Sequence, residues 1–222
     1  MSGLNVLQRG FIGFMRMVTR ATAGYDMGPI QEEMVRLHGV RGAVRLMKMG
    51  AEITNLLTQT FGEATAQLLI GIAAMWNGCR YCVIGHVYSA NLFLYRDNKQ
   101  LGPLDEDELV DLMRLTDDES LEVFRQRFSG PDHARTWHLL ERMFQLRFRD
   151  LEPAEPDDTL LKATVAYWEW LNECTIVLGI DAVPGKVPAI GFMRPTEAFL
   201  ADYDPGFTLR LEFERPPPLP AA

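Results

Sequence analysis

Asn77-Gly78-Cys79-Arg80-Tyr81-Cys82-Val83-Ile84-Gly85-His86 is the stretch whose reading decides the fold. It holds two of the chain's three cysteines and one of its four histidines. Upstream, residues 66–76 form an apolar, alanine-rich run (AQLLIGIAAMW) long enough for a buried helix. Asn77-Gly78 ends that helix, because both residues tolerate positive φ and glycine closes helix C-termini. A second helix starting at Cys79 places the chemistry by arithmetic. At about 100° per residue, Cys82 lies about 60° and His86 about 20° from Cys79, so the three groups share one face. The pattern predicts two helices meeting at a tight corner, with a C-x-x-C-x-x-x-H site at the mouth of the second.

Thiol acidity gives that arrangement its meaning. A free thiol has a pKa of about 8.5, and a helix N-terminus with a nearby cation lowers it. The unpaired amide N–H groups of a first turn, the charge of Arg80 and the imidazole of His86 all favour thiolate. Two cysteines three residues apart on a helix can close a disulfide, so one attacks and the other resolves. Two other readings stay open: half a zinc site, and two inert core cysteines. Zinc would need a further ligand from His133, His138 or Cys174. A thioredoxin-like unit would need a strand before the motif and βαβ alternation around it, and neither is visible.

The segment Trp76-Asn77-Gly78-Cys79-Arg80-Tyr81-Cys82-x-x-Gly85-His86 resembles the signature of the alkylhydroperoxidase D (AhpD)-like superfamily, which also contains the carboxymuconolactone decarboxylases. The resemblance covers roughly residues 60–115. It implies an all-α fold, a homo-oligomer (dimer, trimer or hexamer), and thiol peroxidase or disulfide reductase chemistry without an organic cofactor or a metal. By that likeness Cys82 is the peroxidatic thiol, Cys79 the resolving one and His86 part of a proton relay. Peroxidase members place a glutamate about a dozen residues before the first cysteine, where this chain has Gln67. Glutamine orients a partner by hydrogen bonding but takes no proton at neutral pH. Glu63, one turn earlier on the same face, is the candidate substitute. Gln67, Glu63 and Tyr81 are the expected groups behind the reacting sulfurs.

The expected partners are a small-molecule peroxide or disulfide and an external thiol reductant. Two alternatives compete with the oxidoreductase: a lyase like the decarboxylase branch, which generally lacks the cysteine pair, and a non-catalytic assembly subunit or redox sensor.

The remaining sequence frames this core. At 222 residues and 47% hydrophobic, the chain can bury one substantial core with appendages. A net charge of −8 argues against a nucleic-acid partner. Three cysteines are too few for a disulfide scaffold, and C-x-x-C within an odd count fits a reducing, cytoplasmic compartment. No run of about 20 uncharged apolar residues is present, so no transmembrane segment is expected.

Residues 1–28 read as an N-terminal amphipathic helix. Leu4, Leu7, Phe11, Phe14, Met15 and Val18 form its stripe, Arg9, Arg16 and Arg20 supply charge, and no acid precedes Asp26. Docking on the protein's own core or on a neighbouring subunit is the expectation, with a membrane-surface helix or transit peptide as alternatives.

Residues 29–179 form the expected helical domain. Gly39 and Gly42 mark a break within 29–61, and the cysteine helix runs to about Tyr95. Asp105 caps a helix through Leu115, and further helices span about 118–128, 133–149 and 159–179. Residues 105–122 hold nine acids and one base, Arg114, which reads as a solvated face. Trp170–Cys174 faintly echoes the Trp76–Cys79 corner, and Cys174 reads as a small buried hydrophobe. From Ile180 the chain reads as an irregular extension, with a candidate strand at 207–213 and a polyproline end at 215–220.

Overall fold

The computed structural model describes residues 4–24, 27–179, 182, 187–191 and 195–203, and among them every regular element is helical. The all-α expectation therefore holds. In chain order the helices are α1 (Val6–Ala23), α2 (Gly28–Phe61), α3 (Glu63–Trp76), α4 (Arg80–Asn98), α5 (Glu106–Leu112), α6 (Asp117–Arg127), α7 (Ala134–Phe148) and α8 (Asp158–Leu178). A short 3-10 turn, Pro131–His133, leads into α7.

The α3–α4 pair is the centre. Every residue of α3 from Ala66 to Met75 is buried, as befits a helix that is apolar all round. α4 buries eleven residues from Cys82 to Phe93 and runs back along α3. Close approach is possible because Gly71 carries no side chain: a Cβ there would lie 2.7 Å from Val87 Cγ2. The corner between the helices turns at Gly78, whose φ of +78° a residue with a side chain adopts only under strain. Gly78 N–H donates to Met75 O and Cys79 N–H to Ala74 O, so the last carbonyls of α3 are satisfied within the turn.

α2 and α8 close over this pair, and α7 packs along α8. α2 kinks at Gly39 (φ 66°, ψ 174°), where the sequence placed a break. The N-terminus of α8 is pinned by Asp158, which is fully buried. Its carboxylate accepts from Arg142 Nε at 3.0 Å and from the backbone N–H groups of Ala154 and Glu155 at 2.8 Å each. Those donors hold the Asp158 carboxyl below the ordinary carboxylate range, with Arg142 the largest cause.

Three boundaries differ from the sequence reading. α4 continues to Asn98 instead of ending near Tyr95. Arg96 is tied to Glu63 at 2.6 Å, and Lys99 ends the helix in a left-handed conformation with its N–H on Tyr95 O. α5 stops at Leu112, short of Leu115, because a tightened turn hands over to Thr116. Thr116 and Glu119 form a capping box that starts α6. Residues 197–203 are helical where an irregular extension was expected, and the buried Tyr203 packs on Tyr88 and Tyr95. The candidate strand at 207–213 and the polyproline end lie outside the described residues.

Candidate functional site

α4 begins where its sequence chemistry says it should, and its N-cap is a cysteine. Cys79 (φ −89°, ψ 85°) sits just outside the helix, and its sulfur accepts the backbone N–H of Cys82 at 3.3 Å. A cap is ordinarily a hydroxyl, carboxamide or carboxylate. A sulfur in that place gains most from the first-turn N–H groups when it is anionic. From α8, 96 residues away, Thr175 Oγ1 lies 2.7 Å from the same sulfur. Cys79, Cys82 and Cys174 are all free thiols.

The two sulfurs of the pair are electrostatically unequal. Cys79 is held below the ordinary thiol value, chiefly because the Cys82 thiol donates to it. The Thr175 hydroxyl and the N–H of Cys82 act in the same direction, and burial opposes them. Cys82 is pushed well above that value, because its S–H is committed to Cys79 and because it is buried. Of the two, Cys79 is the sulfur that ionises first, the one that the family resemblance casts as resolving. Both are covered, Cys79 being 2% exposed and Cys82 6%.

Thr175 adds a proton switch. Its hydroxyl also lies 2.8 Å from the carbonyl oxygen of Asn172, to which it can donate. A hydroxyl has one proton. When Cys79 is a thiol, it donates S–H to Thr175 while Thr175 donates to Asn172. When Cys79 is a thiolate, the Thr175 proton turns to the sulfur, and the Asn172 carbonyl keeps its place in the helix ladder.

His86 lies one turn along α4 from Cys82 and faces α3. It is 7% exposed, and its Nδ1 lies 2.7 Å from Gln67 Oε1 on α3. Burial drives its pKa down to about 3, so the imidazole is neutral and donates Nδ1–H to the glutamine oxygen. Trp168 of α8 meets the ring edge-on at 6.0 Å. Gly191 lies against the Gln67 carboxamide. Ile190 N–H donates to Gly85 O at 2.9 Å, and Ser89 Oγ donates to Ile190 O at 2.7 Å. The C-terminal segment thus straps the outer side of α4.

The expected supporting groups divide. Gln67 is in place, bonded to His86. Glu63 is not: its carboxylate pairs with Arg96 at the surface, 2.6 Å away, because α4 reaches far enough to meet it. Tyr81 is half-buried and packs beside Ile84, Ala182 and Val187. The charged Glu63 is therefore no stand-in for the absent relay acid. His138 pairs with Glu155 at 2.8 Å on the surface, and His38 meets Trp170 edge-on at 5.2 Å. Among the described residues no group of three or more His, Cys, Asp or Glu side chains has the arrangement to hold a metal.

Cys174 is fully buried, and burial pushes its thiol up to about 11. Trp170–Cys174 lies inside unbroken α8, so the echo of the Trp76–Cys79 corner has no structural counterpart. Thr175 is the residue that sequence reasoning missed. No spacing signal marks it, and its adjacency to the flagged Cys174 is the nearest hint.

Comparison of the chain with protein-family models, with curated proteins and with solved structures yields no match in any of the three. The likeness to the AhpD-like superfamily rests on the sequence around residues 76–86.

Proposed function

We propose that the protein is a cysteine-based thiol oxidoreductase that reduces a small peroxide or disulfide through the Cys79–Cys82 pair. The observation that carries this reading is the N-capping sulfur of Cys79, which takes the Cys82 N–H at 3.3 Å and has the Thr175 hydroxyl 2.7 Å away, a donor to it once the sulfur is charged. A thiolate stabilised by fixed donors beside a protonated second thiol is the starting state of a two-electron cycle.

In that cycle the Cys79 thiolate attacks one peroxide oxygen, the O–O bond breaks, and the departing alkoxide takes a proton to leave as alcohol or water. Cys79 becomes a sulfenic acid. The Cys82 sulfur attacks it, water leaves, and the Cys79–Cys82 disulfide forms. Two equivalents of an external thiol return the electrons and are released as their own disulfide. This assigns attack to Cys79 and resolution to Cys82, the reverse of the order that the resemblance implies. His86, one turn along α4 from Cys82 and kept neutral by burial, is held on Gln67 and takes no proton at neutral pH. Burial of both sulfurs favours small oxidants.

A second reading has its own support. Both sulfurs are covered, and Gln67 stands where peroxidase members of the family place an acid, so a slow redox sensor is the runner-up. Hydrogen peroxide consumption with dithiothreitol as donor separates the two. An oxidoreductase turns over repeatedly and loses activity in Cys79→Ser and in Cys82→Ser. A sensor forms the disulfide stoichiometrically and stops. A pair that never closes under mild oxidation refutes both.

A further inference from the structure

α1 docks by one apolar side and leaves a second apolar side in water. At about 100° per residue, Phe11, Gln8, Thr19 and Ile12 fall between about 140° and 240°, and Phe11 packs on the core. This is the side against α2: Ile12 is buried, and Gln31 Nε2 of α2 lies 3.4 Å from Thr19 Oγ1. A second set of apolar side chains lies on another arc, with Val6, Met17, Phe14 and Leu7 between 0° and about 100°. They are 84%, 60%, 56% and 82% exposed. Large apolar side chains left in water on one continuous arc mark a surface that something else covers.

The charges say what. Arg9, Arg16 and Arg20 fall together between about 280° and 320°, along one edge of the apolar arc. The first 25 residues hold no acidic side chain, although the chain as a whole carries −8. Seen end-on, the protein body, the arginine row and the apolar arc follow one another around the helix, with the arc facing away from the body. A helix lying in the plane of a bilayer is built in this way, with apolar side chains among the acyl chains and arginines level with the headgroups. Its 18 residues, about 27 Å long, are capped at the start by the Asn5–Gln8 box, so the arc is presented on a pre-formed helix. Antiparallel self-association through this face is the poorer match, since it would bring two arginine rows together along one edge.

We propose that α1 is a peripheral membrane anchor that seats the protein on an anionic lipid surface. No helix among the described residues is long and apolar enough to cross a bilayer, so this contact is in-plane. Phosphatidylglycerol supplies the negative headgroups that the arginines recognise, and zwitterionic lipid does not.

Co-sedimentation of the full chain with vesicles of phosphatidylcholine alone, or with about one-third phosphatidylglycerol, tests it. The expected result is binding to the anionic vesicles at least ten-fold stronger than to the neutral ones, weakened by high salt. Leu7→Glu/Phe14→Glu abolishes it, while circular dichroism melting stays unchanged because both positions face solvent. Arg9→Gln/Arg16→Gln/Arg20→Gln removes the preference for anionic lipid. Absence of binding by the full chain overturns the proposal, as does binding that survives Leu7→Glu/Phe14→Glu. A concentration-dependent dimer that the same double variant converts to monomer, without vesicle binding, assigns the face to a second copy and also overturns it.

Discussion

Thr175→Val removes one hydroxyl from the site and keeps the side chain's shape. If Cys79 is the charged sulfur, it loses a donor 2.7 Å away. A hydrogen bond to a charged acceptor is worth about 1.5–3 kcal/mol. One pH unit corresponds to about 1.4 kcal/mol, so the Cys79 pKa rises by about 1–2 units. Below that pKa the thiolate fraction falls about 10- to 100-fold. Each remaining thiolate is more nucleophilic, with a Brønsted coefficient of about 0.4–0.5, so the rate with hydrogen peroxide falls only about 3- to 16-fold. The assay is the ultraviolet absorbance of thiolate against pH in a Cys82→Ser/Cys174→Ser background. There Cys79 is the only sulfhydryl, and the hydroxyl introduced at position 82 still offers it a donor. Absorbance needs no reagent to reach a sulfur that is 2% exposed. An apparent pKa within a few tenths of the parent refutes the reasoning, and so does a rate loss without a pKa change. The same titration in Cys79→Ser/Cys174→Ser should find Cys82 still above the ordinary thiol value, because burial remains after the Cys79 contact, the largest cause of its shift, is removed.

Further outcomes test other parts of the structure. Glu106 is buried at the start of α5 with Oε2 lacking a partner, and burial raises its pKa to about 8. The folded state therefore binds the extra proton between pH 4.5 and 8, and stability contributed by this group is lost as pH rises through that window. Glu106→Gln should add about 3 kcal/mol at pH 7 and almost nothing near pH 4, read from urea unfolding at both. His86 acts in the opposite direction. With a folded pKa of about 3 against 6.5 unfolded, it contributes stability above 6.5 that disappears as pH falls toward 3, so His86→Gln should flatten the acid limb of the stability profile. Gln67→Glu gives His86 Nδ1 a carboxylate at 2.7 Å. It should raise the imidazole pKa, visible by nuclear magnetic resonance, and increase peroxide turnover if the missing acid limits it. Asp158→Asn removes the main partner of Arg142 and leaves it Glu155 at 3.3 Å, so it should cost about 1.5–3 kcal/mol in chemical denaturation, the worth of hydrogen bonds to a charged group.

The local grammar of the chain was legible without coordinates. An apolar run from 66 to 76, an Asn-Gly pair and a cysteine at the head of the next helix specify the α3–α4 corner, because helix ends depend on residues within one turn of one another. The kink at Gly39 and the Asp105 cap, whose side chain accepts Glu108 N–H at 2.7 Å, were readable for the same reason. The shared face of Cys79, Cys82 and His86 follows from 100° per residue, but sharing a face does not make a site. Packing decided that Thr175, 96 residues downstream, completes the Cys79 environment, and that a neutral His86 is held on Gln67 of α3. It also decided that Glu63 is spent on Arg96. Each of these depends on how far one helix runs and at what angle the next crosses it, a balance of many small contacts with no i-to-i+4 signature. Which of two sulfurs bears the charge belongs with them, since burial and a donor from another helix set it, and neither is written in the C-x-x-C spacing.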